Sequence, residues 1–588
     1  MTSANDPTRG LSRRRFMART AVAGGAAAAL SVSGADSTAA APGLAARPVT
    51  GPVPEPSTFF ATAFVEYYGS LQTSSNGDLW PNCWADDGAI YAANGDGTGF
   101  DLSAAEADTV VSRIDGTPAT GITGERLSAG AQVGPIWGNA SRYNRKPTGM
   151  TCVDGVLYLA MQDLRYGTYA FDESPVASIS RSDDHGSTWT PTSSPMFPDS
   201  RFSTLFFLDF GQDYGLAARA LGPSDGAYVY AYGLDWNWRQ SYTCVVADPD
   251  RLYLGRVPRA SVQDRGAWEF FAGLAGGLPA WTPDIAGKVP VLEDTRRLYP
   301  NLRPGGVGGP DNLSVISQGG VVYNAPLRRY LYTSWSEYTF EFYEAPTPWG
   351  PWRLFLHHDA GCYPWFGLPS GGRADPGPKN GGYGTTIPSK FISSDGLTMW
   401  VQSNWWVDND AGTDDYGFCL RRLQVSPASA SPPRRESAER NLATADGVAP
   451  LEKSAHYGHW RYYNDGIRAQ SEDSWDGQNK DLDWWGYTWP RSYALGRVVY
   501  TTGNMFSDGG WFSRFDGGLR VQVRRDFTWT DVTGLEISPD YPYDKTAGPN
   551  HTYTLTFAPV TGDGIRIIGA PGGQSYFTSI GELEVYSG

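Results

Sequence analysis

The chain has 588 residues, including 71 Gly, 42 Pro, 22 Trp, 33 Tyr and 25 Phe, with 19% charged residues and a net charge of -15. That length exceeds one ordinary hydrophobic core, and glycines and aromatics with few charges point to short strands and tight turns, an all-β chain. The acidic balance excludes nucleic acid as a partner, since phosphate binding needs a basic surface.

The N-terminus reads as an export signal. "SRRRFM" (Ser12–Met17) sets paired arginines before an apolar, Ala-rich run from Ala21 to Val32, and small residues at Ala35–Ala41 offer a cleavage site. The run is too short to span a bilayer, so residues 1–41 are expected to be a twin-arginine signal that directs export of a soluble, secreted protein. No later stretch is apolar enough to cross a membrane, and no membrane partner is expected. A Pro-rich lead-in covers residues 42–57.

Residues 76–100 read "NGDLWPNCWADDGAIYAANGDGTGF". Asp86-Asp87-Gly88 is a turn signal between two strand-like runs, which makes a hairpin. Counting outward from Asp87, Asp78 and Asp96 are each nine residues away and would oppose one another at the open end. Opposed Cβ atoms lie roughly 4.5–5.5 Å apart, and carboxylates that close cannot both ionise cheaply. One acid and one base is what glycosidic hydrolysis requires, so Asp78 and Asp96 are the candidate catalytic pair. Turn caps are the bland alternative for both, and the expected role of Asp86 and Asp87.

From residue 58 to 426 short aromatic and β-branched runs such as "GVLYLAMQDL", "GAYVYAYGLDW" and "RRYLYTSW" alternate with turn residues. Many short strands at regular spacing favour a β-propeller, taken as five-bladed. "SRSDDHGSTW" fits the S-x-D-x-G-x-T-W turn of propeller blades, whose Asp and hydroxyls satisfy turn amides, and is read as structural. Substrate contacts are expected from Lys146 in "NRKPTGM", then from Asp163 and Arg165 in "MQDLRYG". His357 and His358 are adjacent on a strand, so at most one reaches any site. The five cysteines, Cys83, Cys152, Cys244, Cys362 and Cys419, are widely spaced, which argues for small buried hydrophobes and against a metal site.

"SPASASPPRRESAE" marks a linker, placed at residues 427–439, before a tail of different texture at 440–588. The tail resembles a coagulation factor five/eight type C (discoidin-like) module through "NLA", the Asp465-Gly466 turn, "GRVVY" and the closing "ELEVY". That resemblance implies a jelly-roll sandwich that binds carbohydrate and can carry a structural Ca²⁺. Trp475, Trp484, Trp485 and Trp489 are candidates to stack on sugar faces, with the sandwich core as their alternative place.

The body resembles the proteins of domain of unknown function 4185, part of which forms glycoside hydrolase family 183, the endo-D-arabinanases. Asp78-Leu79 followed by Gly95-Asp96 matches the family's Asp-Leu-Gly and Gly-Asp-Thr, and "LYLGRVPRASVQDRGAWEFFAGL" and "VVYNAPLRRYLY" look familial. Trp80 and Gly97 stand where the family has Gly and Thr. The resemblance implies a propeller hydrolase with Asp78 and Asp96 as its pair and no catalytic cofactor. The expectation is therefore a monomeric, secreted glycoside hydrolase acting on a polysaccharide, of which an arabinan is one candidate. A polysaccharide lyase and a non-catalytic glycan binder remain open alternatives.

Overall fold

The computed structural model describes residues 51–66, 71–166, 173–236, 249–298, 313–335, 339–359, 384–404, 406–408, 413–415, 417–428, 437–445, 448–452, 463–475, 482–525 and 528–588. The export signal, the start of the Pro-rich lead-in, the middle of the linker, Cys244 and Cys362 lie outside the described residues.

The described chain is all-β apart from short 3₁₀ turns and one helix, Ala217–Asp225, interrupted at Gly222. Up to residue 427 it runs as successive antiparallel sheets, each built from strands adjacent in sequence. The first unit holds Asn76–Asp78, Asn82–Trp84, Ile90–Gly99, Val110–Thr117 and Gly121–Ala129. Next come Tyr143–Val153, Val156–Arg165 and Ala177–Ser182, followed by five strands from Thr204–Asp209 to Leu278–Thr282. Four strands from Gly320–Asn324 to Arg353–Asp359 follow, joined to the previous unit by parallel pairing of Leu208 with Val321. The last unit, Thr398–Ser403 with Cys419–Pro427, takes the opening strand Phe60–Val65 as its partner, Val65 opposite Leu423. The two ends of this region are thereby tied together by strand hydrogen bonds.

Aromatic residues on consecutive sheets fill the space between them. Phe206 stacks on Tyr232 and on Tyr332, with ring centroids 6.2 and 5.8 Å apart, and Tyr332 stacks on Tyr343 at 5.6 Å. Offset pairs of this kind add about 0.5–1.5 kcal/mol each beyond the area they bury. Cys83, Cys152 and Cys419 are buried, as small hydrophobes would be.

The "SRSDDHGSTW" turn forms as its residues dictate. Asp184 accepts from the Thr188 amide at 2.8 Å and its hydroxyl at 2.6 Å, and Ser182 Oγ accepts from the Gly186 amide at 2.8 Å. Its His185 touches Asp86 in the first hairpin's turn, at the opposite end of that hairpin from Asp78.

The tail is one group of hydrogen-bonded strands dominated by Asp483–Thr502 and Thr552–Gly569, with Ser579–Ser587 and Arg520–Arg525 alongside. It touches the body where Arg524, paired with Asp563 at 2.9 Å, donates to the His357 carbonyl at 2.9 Å.

Candidate active site

The backbone around Asp78 is bent against its ordinary preferences. Leu79 (φ 73°), Trp80 (φ 52°) and Asp96 (φ 45°) all lie in the left-handed region, which non-glycine residues rarely occupy. Such strain costs of order 1 kcal/mol or more per residue and persists only where surrounding structure overrides it. Trp80 supplies much of that override. Its ring is wholly buried between Phe100 and Phe418, at 5.8 and 5.6 Å, and its indole donates to the Gly77 carbonyl at 2.9 Å. In this chain, packing of a large ring holds the conformation that glycine adopts without strain.

The hairpin forms, but its register differs from the symmetric count. Asp78 opposes Gly95, and between the pairs Asn76–Gly99 and Asp78–Gly95 the second strand carries extra residues as a bulge. On a regular strand Asp96 would face away from Gly95's side chain direction; the bulge and the positive φ re-aim it. A Cβ built on Gly95 would lie 3.1 Å from Lys146 Nζ and closer still to Asp78 Oδ1, so the missing side chain is the space in which these groups meet.

Lys146 comes from the next sheet, on Tyr143–Val153, and its ammonium pairs directly with Asp96 Oδ1. Asp78, Asp96 and Lys146 are 2%, 7% and 1% exposed, so two carboxyl groups and one ammonium share an interior site. Burial disfavours the ammonium, but Asp96 and then Asp78 outweigh it and hold Lys146 above its ordinary range. Lys146 is therefore the counter-ion of the carboxylate pair, a role that the sequence did not reveal. Gly95→Ala should lower turnover on the order of 10²-fold by wedging these groups apart, checked by kcat/KM on a cleaved polysaccharide.

Beyond Lys146 a cavity of about 20 Å³ is lined by Asn82, Thr148, Phe206, Asp209, Gly320 and Thr386, among others. It has room for a single water. Burial pushes the Asp209 carboxyl up to about 6, against hydrogen bonds from Ser389 and Gly211.

The other predicted contacts have different tasks. Asp163 is 2% exposed and accepts from the amides of Gly138 at 2.6 Å and Trp137 at 3.3 Å. It anchors the loop before Tyr143. Arg165 pairs with Glu173 at 3.0 Å at the rim of the same sheet. His357 is buried against Glu341, part of a closed network in which Arg296 also pairs Glu341 (3.2 Å) and Asp294 (2.7 Å). Neither His357 nor His358 accompanies Asp78, Asp96 and Lys146.

In the tail, Trp485, Trp489 and Trp484 are 0%, 3% and 5% exposed, which corrects the expectation that they stack on sugars. Trp485, Tyr487 and Trp489 alternate along one strand and so point to one face, into the core, where Trp485 donates to Thr578 Oγ1 at 2.8 Å and Trp489 to the Leu442 carbonyl at 2.9 Å. Trp484, on the other face, lies under the Arg566 guanidinium at 4.9 Å. Trp475 is half-buried. The exposed aromatics of the tail are Phe506 and Phe515, at 39% and 71% among the described residues.

Glu582 is almost wholly buried, and burial, with repulsion from Asp465 and Glu584, pushes its carboxyl up to about 7 against a hydrogen bond from the Gly466 amide. The main-chain carbonyls of Arg468, Gln470 and Thr502 crowd the adjacent Gly581.

No family model matches the chain, and no curated protein matches it. Solved structures similar to it include a presumed hydrolase from Bacteroides ovatus, 10% identical with a TM-score of 0.34, over 60% of this chain and 87% of that one. A family 32 carbohydrate-binding module of Clostridium perfringens NanJ, determined with galactose, is 16% identical with a TM-score of 0.18, over 24% of this chain and 93% of that one. A chitosan-binding module from a Paenibacillus sp. IK-5 chitosanase/glucanase is 22% identical with a TM-score of 0.19, over 25% and 98%.

Proposed function

We infer that the chain is a secreted glycoside hydrolase, a divergent relative of domain of unknown function 4185 and glycoside hydrolase family 183. Residues 58–426 are its catalytic domain, a five-bladed propeller, and residues 440–588 a jelly-roll module that holds polysaccharide near it. The successive meanders and the pairing of Phe60–Val65 with the last sheet support the propeller. The observation that carries the activity is the meeting of Asp78, Asp96 and Lys146 on a strained backbone. A tethered binding module raises the local concentration of substrate at the catalytic domain.

In this mechanism Lys146 keeps Asp96 ionised, as nucleophile or as the base that activates water. Asp78, beside an already ionised neighbour, delivers the proton to the leaving oxygen. Gly95 leaves room for Asp78 and Lys146 to meet over its backbone. The test is release of reducing ends from arabinans, galactans and chitosans. Absorbance from unsaturated products would assign a lyase, and retention of glycan without any product would assign a binding protein.

A structural Ca²⁺ in the tail module would be held at Glu582, beside Asp465. Glu582 titrates above its unfolded value, so without cation the fold loses stability as pH rises from about 4.5 to about 7. Ca²⁺ takes the proton's place. Added Ca²⁺ should therefore raise Tm more at pH 8 than at pH 5, and a chelator should reverse the gain. Equal Tm values with and without Ca²⁺ at pH 8 would remove the ion from the account.

A further inference from the structure

Trp236 is 57% exposed, and it holds that position in a left-handed conformation, φ 70°. Both of its backbone groups are clamped: its amide donates to the Ser200 carbonyl at 2.6 Å, and its carbonyl accepts from the Ser174 amide at 3.1 Å. The preceding residue, Asp235, accepts from the Phe202 amide at 2.7 Å and from Lys288 Nζ at 2.8 Å. Phe202 itself is fully buried against Phe197 and Trp268. Asp199, Ser200 and Phe202 are left-handed as well, so four strained non-glycine residues converge to fix one indole in solvent. Strain of this kind is kept where function over-determines it, and an isolated exposed Trp has no stabilising use that would explain it.

Its place in the fold supplies the use. Ser174, bonded to Trp236, donates its hydroxyl to Gln162 Oε1 at 2.7 Å, as does Thr204. Gln162 is the strand partner of Lys146. Trp236 therefore rises from the same end of the sheets as the carboxylates. One strand pair and two hydrogen bonds, through Gln162 and Ser174, link it to Lys146.

We propose that Trp236 is a distal sugar-binding platform: its ring stacks on the apolar face of a neutral sugar unit of the substrate, a few units from the cleaved bond. This rests on the glycoside hydrolase reading above. Contact with a non-reacting unit stabilises ground and transition states alike, so it acts on KM and not on kcat, and only for substrates long enough to reach it.

Two measurements on the full chain test it. Trp236→Gly removes the ring and relieves the positive φ, so its Tm should equal or exceed that of wild type, while KM for the cleaved polysaccharide rises about three- to tenfold and kcat stays within about twofold. Trp236→Phe should recover most of the KM, and short oligosaccharides should be insensitive to either change. Second, oxidative footprinting read by mass spectrometry should show Trp236 protected severalfold by arabinan, galactan or chitosan fragments of six or more units. Protection without cleavage by wild type would keep the platform and sink the hydrolase reading. Cleavage with unprotected Trp236 and unchanged KM in Trp236→Gly would sink the platform alone. Neither protection nor cleavage would sink both.

Discussion

In the Asp78→Asn protein, hydrolysis of whichever polysaccharide the wild type cleaves is expected to fall by roughly 10²–10⁴-fold, with binding of the polymer retained. The asparagine has the same shape and keeps an acceptor beside Gly95, so the bend held by Trp80 should survive, but it has no proton to give. That distinguishes a lost acid from a lost fold, because Tm should change little. The role can be resolved further with an aryl glycoside of the same sugar. A leaving group that departs without protonation needs no acid, so Asp78→Asn should act on it nearly as well as wild type. If aryl glycoside and polymer suffer equally, Asp78 is not the proton donor. Full activity of Asp78→Asn on the polymer would remove the carboxylate pair from the chemistry altogether.

Several features of this site were legible before any coordinates. The Asp86-Asp87-Gly88 turn defined the first hairpin, and the same count brought Asp78 and Asp96 to its open end. What the count missed was the bulge, which pairs Asp78 with Gly95, and the left-handed Asp96 that restores the meeting. Period-two counting assumes a regular pleat, and neither a bulge nor a positive φ announces itself in Asp-Gly residues common to any turn. Lys146 was found as a residue but not as a counter-ion, because its partner lies on another sheet and only the packing of the two sheets joins them. Trp485 and Trp489 were found as aromatic residues but not as core, because a Trp-rich run reads equally as a binding face or a buried one until its strand is placed. Asp163 shows how ambiguous a strand-end acid is. A carboxylate beside a strand end serves backbone amides as readily as a ligand, and the composition of "MQDLRYG" cannot tell the two apart.

Breaking the Asp96–Lys146 pair should have the largest effect on stability. Lys146→Met leaves Asp96 buried beside Asp78 without its cation, and losing one partner of a buried pair costs about 3–5 kcal/mol. Asp96→Asn leaves the ammonium with Asp78 and, farther off, Asp108 and should be milder. The double variant Asp96→Asn, Lys146→Met removes both charges together. Its loss should be well below the sum of the single losses, a coupling that urea denaturation of the three proteins measures directly. Activity, by contrast, should be absent in the double variant, since restoring charge balance does not restore a nucleophile or base. The pH dependence has a definite sign. Lys146 is held above its ordinary value, so its contribution is complete below that value and is lost only as pH rises through the folded one. Between pH 5 and 8 the wild-type pair should therefore be at full strength. In Lys146→Met the crowded carboxylates instead favour protonation, and its deficit should shrink as pH falls towards 4. A deficit that stays constant across that range, or single losses that simply add in the double variant, would mean that Lys146 fills space and does not balance the charge on Asp96.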